Sequence, residues 1–98
     1  MKIEQTRDNS TLTLALEGRL DTITAPELEQ ALKESLDSAQ ELIMDFSKLD
    51  YISSAGLRVL LSAHKTMRTK GGMKVVNVNE IVKEVFDVTG FADILDIE

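Results

Sequence analysis

Two adjacent serines, Ser53 and Ser54, separate an apolar run, Leu42-Ile43-Met44-Asp45-Phe46, from the helical pattern that begins at Ala55-Gly56-Leu57-Arg58. The run reads as a buried strand, so these hydroxyls fall where a strand hands over to the first turn of a helix. Backbone N–H groups are unpaired there, and the helix dipole favours negative charge. A hydroxyl so placed can cap the helix or carry a phosphate. Capping is the commoner role. Local features weigh for the other: two serines stand where one would cap, and Ala55 and Gly56 leave the backbone open to an approaching macromolecule. The strand behind them supplies a rigid scaffold. A phosphate would suit the helix N-terminus and would add about −1.5 to −2 charge to the adjoining surface. That is the logic of a binding switch, in which the domain survives and its partner leaves.

Other chemistry is poorly supported. His64 is the single histidine and lies on the apolar side of the second helical pattern, where packing is the expected role. A hydrolase elbow needs Gly-x-Ser-x-Gly, and Ile52-Ser53-Ser54-Ala55-Gly56 lacks the first glycine. Without cysteine, a metal site would rest on carboxylates, and Asp21, Asp45 and Asp50 have no calcium-loop spacing. Lys70-Gly71-Gly72 follows a helix and precedes a strand, which makes it a helix terminator rather than a phosphate loop. The expectation is a protein with no catalysis, metal or cofactor of its own. Nucleotide binding ranks last, for want of a Mg²⁺ site or general base.

The elements that must hold these serines are those of one small domain, residues 1–98. An apolar fraction of 43% is enough for a single core, and a net charge of −6 argues against nucleic acid as a partner. The absence of cysteine suits the cytoplasm, and no apolar run approaches a membrane span. Met1-Lys2-Ile3-Glu4 already reads as strand, so no signal peptide is expected. With no apolar stripe evident beyond the core positions, a monomer is expected.

Lys2–Arg7 and Thr11–Glu17 read as a hairpin, with Gly18-Arg19-Leu20-Asp21 leaving the sheet as a loop. Thr24 opens a helix with capping-box spacing to Glu27, and Leu28, Ala31, Leu32, Ser35 and Leu36 form its inner stripe. After the Leu42–Phe46 strand, Leu57, Leu60, Leu61, His64 and Met67 keep helical spacing up to a glycine cap at Lys70-Gly71-Gly72. Met73–Val78 is a buried strand. Asn79 caps a third helix with Ile81, Val82, Val85 and Phe86 inward, and Ile94–Ile97 is a last edge strand. The fold class is α/β: a mixed sheet of four to five strands, an antiparallel hairpin followed by strand–helix–strand units, covered by three to four helices.

In order and spacing these segments resemble the STAS domain of the anti-sigma factor antagonist family, along nearly the whole chain. Gly18-Arg19-Leu20-Asp21 is similar to the loop before the family's first helix. The signature loop is matched by Leu49-Asp50-Tyr51-Ile52-Ser53-Ser54-Ala55-Gly56-Leu57, and the tail by Val85-Phe86-Asp87-Val88-Thr89-Gly90-Phe91. The resemblance implies a protein that frees a sigma factor by binding its anti-sigma factor, itself a serine kinase of the histidine-kinase-like ATPase type. It implies release by phosphorylation of Ser54 and resetting by a PP2C-type phosphatase. Ser53 stands where members often carry aspartate, and Ala55 where they often carry serine or threonine. Ser54 and Arg58 share a helix face one turn apart, and the Leu20–Thr24 loop should lie at the same end of the sheet. The expected contact surface is Asp21, Thr22, Ser53, Ser54, Ala55, Gly56 and Arg58. The alternative is a small STAS subunit docked constitutively in a transport ATPase complex or signalling scaffold.

Overall fold

The structure is a computed structural model and describes residues Met1–Glu98. Leu12, Leu14 and Leu16 alternate with Thr11, Thr13 and Ala15, and the alternation makes β2 (Thr11–Leu20) a strand with one buried face. It pairs antiparallel with β1 (Lys2–Asp8) across a turn in which Asn9 takes a left-handed φ of 57°. β3 (Glu41–Ile52) lies parallel to β2 on one side and to β4 (Met73–Val76) on the other, and β5 (Asp96–Ile97) completes the order β1-β2-β3-β4-β5.

Helices α1 (Ala25–Ser35), α2 (Ser54–Met67) and α3 (Glu80–Thr89) make the crossovers β2 to β3, β3 to β4 and β4 to β5. Every crossover steps in the same direction along the sheet, so right-handed connections place all the helices on one face. That face carries Leu12, Leu14, Leu16, Leu42, Met44, Phe46, Met73 and Val75, all buried. Leu28 and Leu32 of α1, Leu57, Leu60 and Met67 of α2, and Val82 and Phe86 of α3 complete one core, in which the Phe46 and Phe86 rings stack at 6.4 Å. Thr13, Ala15, Ile43, Asp45 and Val76 on the opposite face stay half-buried. No helix is long and apolar enough to cross a membrane.

Several expectations are corrected. Gly18-Arg19-Leu20 is not a loop; β2 runs on to Leu20, because β3 itself runs on past Phe46 to Ile52 and supplies partners for it. Gly18 pairs with Leu49, Arg19 with Tyr51 and Leu20 with Ile52, with one register shift between Ala15 and Glu17 and a second between Gly18 and Arg19. The helix α2 stops at Met67, ahead of the glycines, and Gly72 at φ 98° makes the turn into β4. Lys70 does not end a helix. Its ammonium donates to the carbonyls of Leu36, Asp37 and Ala39, holding the chain beyond α1 against the end of α2. The last strand shrinks to Asp96–Ile97 because Leu95 takes the buried position after a 3-10 turn at Phe91–Asp93. Ile81 faces out rather than in: Val82 and Phe86, four residues apart, occupy the core-facing stripe of α3. Ile81 and Val88 therefore remain exposed on α3, where no leftover apolar positions were expected.

Candidate functional site

All three helices start where the parallel strands deliver their carboxyl ends. At the centre, the paired ends of β2 and β3 hold the two serines. The Ser53 N–H donates to the Leu20 carbonyl at 2.9 Å, and the Ser53 carbonyl accepts the Leu57 N–H at 3.0 Å, closing the first turn of α2. Gly56 makes this seating possible. A Cβ there would meet Leu20 Cγ at 2.6 Å and Ile52 Cγ1 at 2.9 Å, so only hydrogen fits beneath the first turn. Gly56 is buried, which corrects its expected place on the contact surface; its role is close packing.

Ser53 has the extended backbone of an N-cap (φ −102°, ψ 176°), yet its hydroxyl caps nothing; Oγ is buried without a hydrogen-bond partner. No acidic residue occupies the first turn either. Ser54, the first helical residue, is exposed. An accessible hydroxyl thus sits on a helix start whose amides no side chain has taken, a local field that favours an anion.

The loop from β2 to α1 is the reverse case. The Asp21 carboxylate accepts the N–H groups of Ile23 at 3.0 Å and Thr24 at 3.1 Å. Thr24 Oγ1 accepts the Asp21 N–H at 2.8 Å and donates to the Arg19 carbonyl at 2.7 Å. The expected capping box of Thr24 with Glu27 is absent, because Thr24 already has helical backbone angles (φ −92°, ψ −20°) and its hydroxyl turns back into the loop. The Thr24 N–H, then the Ile23 N–H, hold the Asp21 carboxyl below the usual carboxylate range against the opposing effect of burial; the Arg19 guanidinium adds to this. Arg19 itself lies 4.7 Å over the Tyr51 ring.

One cleft joins the two helix starts. Thr22, Ala25, Pro26 and Glu29 form one wall, and Ala55, Arg58, Val59 and Ser62 the other. Of the expected surface residues, Thr22, Ala55 and Arg58 meet here, with Ser54 exposed beside them. Asp21 does not line this cleft; it lies on the Arg19 side with Met1, Lys2 and Thr24. On the other flank of β3, Asn79 accepts the Val82 N–H at 2.8 Å and donates from Nδ2 to the Leu49 carbonyl at 2.8 Å. That bond pins the start of α3 to the strand that leads into Ser53. Sequence reasoning missed Ile23 and Ile81, which stand 83% and 59% exposed at these two helix starts. A signal existed for the first: one isoleucine within the polar stretch Asp21-Thr22-Ile23-Thr24, outside any periodic stripe.

Comparison with known proteins places this geometry. BtrV of Bordetella bronchiseptica, described provisionally as an anti-sigma factor antagonist, is 33% identical over 99 residues, covering 99% of this chain and 85% of that protein. The anti-sigma-B factor antagonist of Bacillus subtilis is 26% identical over 98 residues, covering 99% of this chain and 90% of that one. The crystal structure of an anti-sigma factor antagonist from Mycobacterium paratuberculosis superposes with a TM-score of 0.89 at 24% identity, over 98% of this chain and 83% of that one, and shows the same fold. The family model for the STAS domain matches residues 2–98, and the chain belongs to that family.

Proposed function

We propose that the protein is an anti-sigma factor antagonist controlled at Ser54. Unphosphorylated, it docks on an anti-sigma factor through the surface around Ser54, Ala55, Thr22 and Arg58, and so frees a sigma factor in the cytoplasm. The anti-sigma factor, as a serine kinase of the histidine-kinase-like ATPase type, phosphorylates Ser54 and is released; a PP2C-type phosphatase resets the cycle. The protein contributes no catalysis of its own.

One observation carries this reading: an exposed serine hydroxyl on an uncapped helix start that is seated on a fixed core, with Ser53 held to Leu20 and Gly56 against Leu20 and Ile52. The helix N-terminus tolerates a dianion, so the fold persists after modification. The docking surface does not, because about −1.5 to −2 charge and its hydration shell now stand in its centre. The relatives' names support the partner class, and the exposed Ser54 hydroxyl on an uncapped helix start supports a switch there.

The test is the intact mass of wild type and Ser54→Ala after incubation with Mg-ATP and extract of the native host. One phosphate on wild type and none on Ser54→Ala is the expected result. Phosphate on both would move the acceptor to Ser53 or another hydroxyl. No phosphate on either, with a control substrate labelled, would contradict the switch and leave the constitutively docked subunit as the better account.

A further inference from the structure

We infer that Ile23 and Ile81 are paired apolar anchors, one on each flank of Ser54, which the anti-sigma factor buries when it docks. The inference rests on the function proposed above and names what else, besides the serine, that partner must recognise.

Placement comes first. Ser53 and Ser54 sit at the end of β3, the central strand. On the β2 side, Leu20 pairs with Ile52 and accepts the Ser53 N–H, so the loop that carries Ile23 adjoins the serines there. On the β4 side, β3 extends beyond its last pairing with β4 at Asp45, and Asn79 fills that gap through its bond to the Leu49 carbonyl. Ile81 follows two residues later. The two isoleucines therefore bracket the candidate switch.

The fold gives neither residue a task. Ile23 is 83% exposed and Ile81 59%, and both lie outside the single core. Yet the backbone that carries each is anchored. The Ile23 N–H is bound by the Asp21 carboxylate, and Ile81 lies in a first turn fixed by both bonds of the Asn79 side chain. Rigid presentation of apolar surface lowers the ordering cost of association, which is what an interface anchor requires. Thr22, next to Ile23 in the chain, walls the cleft that holds Ala55 and Arg58, so one anchor adjoins the surface that flanks Ser54. A bilayer is a poor occupant, since the chain's net charge of −6 is repelled by anionic lipid. A protein offering an apolar pocket on each side of its serine-reading centre fits both anchors.

Val88 provides an internal control. It is 79% exposed, but lies seven residues beyond Ile81, roughly 10 Å along α3 and away from the serines. The experiment titrates the purified host serine kinase that phosphorylates wild type and not Ser54→Ala against Ile23→Ser, Ile81→Ser, Val88→Ser and Ser54→Asp. Each variant is first checked by thermal melting and sedimentation. The inference expects Ile23→Ser and Ile81→Ser each to weaken binding by about tenfold or more, with unchanged melting, and Val88→Ser to bind as wild type. Wild-type affinity in both isoleucine variants, with Ser54→Asp released, overturns the anchors and spares the switch. Wild-type affinity in all four overturns the proposed function as well. Equal losses at Val88, or a change in self-association in place of partner affinity, would show general stickiness or a contact between copies and would also overturn it.

Discussion

Helices α2 and α3 leave the same end of the sheet, yet their starts are built in opposite ways. The start of α3 is sealed: Asn79 caps it, Glu80 adds an acid to its first turn, and the Asn79 amide ties it to Leu49. The start of α2 is open: Ser53 holds the backbone of a cap without its hydrogen bond, no acid follows, and Ser54 faces solvent. A sealed start is a finished structural element. An open one keeps its dipole and amides available, and the chain has put a phosphorylatable hydroxyl on it. The candidate switch is therefore marked less by its serine than by the missing cap beneath it.

The largest effect should come from disturbing what seats the open start. Gly56→Val drives a side chain into Leu20 and Ile52, where even a Cβ would stand 2.6 Å from Leu20 Cγ. A loss of about 1–3 kcal/mol in urea unfolding is expected. An unchanged midpoint would mean that α2 can lift off the strand ends, and the rigid-scaffold argument would fail with it.

The two caps themselves make the next comparison. Asn79→Ala removes a working cap and a tie to β3, and should cost about 1–2 kcal/mol. Ser53→Ala removes a hydroxyl that bonds to nothing, and should change stability by less than about 0.5 kcal/mol in either direction. Similar losses at both positions would show that Ser53 does cap α2 in solution. Ser53→Asp sharpens the point: a carboxylate should seal the open start and add about 0.5–1 kcal/mol at neutral pH. No gain there would argue that the first-turn amides are already satisfied.

The smallest effect concerns acid. Asp21 is held down by the Thr24 N–H first, and Asp45 by the Asn77 amide first. A carboxyl whose folded pKa lies below its unfolded value of about 3.9 stabilises the fold above that value. The contribution fades as pH falls through the lowered folded pKa. Melting temperature should therefore drop as pH falls below about 4, and Asp21→Asn should flatten part of that drop. A wild-type slope in Asp21→Asn would place the acid sensitivity elsewhere than in the β2–α1 loop.

The handover from strand to helix at Ser53-Ser54 was legible because apolar run and helical spacing meet there without a breaker. The length of β3 was not. Ser47 and Lys48 interrupt its alternation, and only pairing of Glu17 with Lys48 and Leu20 with Ile52 shows that the strand continues. Glycine was ambiguous in the same way: the sequence allows Gly56 to be open surface or tight packing, and Leu20 decides for packing. Thr24 was read as a cap by its spacing to Glu27, but its hydroxyl turns back to the Arg19 carbonyl, and the Asp21 carboxylate takes the Thr24 N–H that a capping-box Glu27 would have reached. Ile81 was assigned to the core because its neighbours are apolar, whereas the face of α3 is set by Val82 and Phe86. In each case the missing information was a long-range partner or a direction in space.

The most direct test of the proposed switch is a calorimetric titration of the proposed partner, the host anti-sigma factor, against unmodified protein and protein carrying phosphoserine at position 54. Both forms should share one fold by circular dichroism. The account predicts that the unmodified form binds and that the phosphorylated form binds at least about a hundredfold more weakly. Equal affinities in the two forms would contradict it.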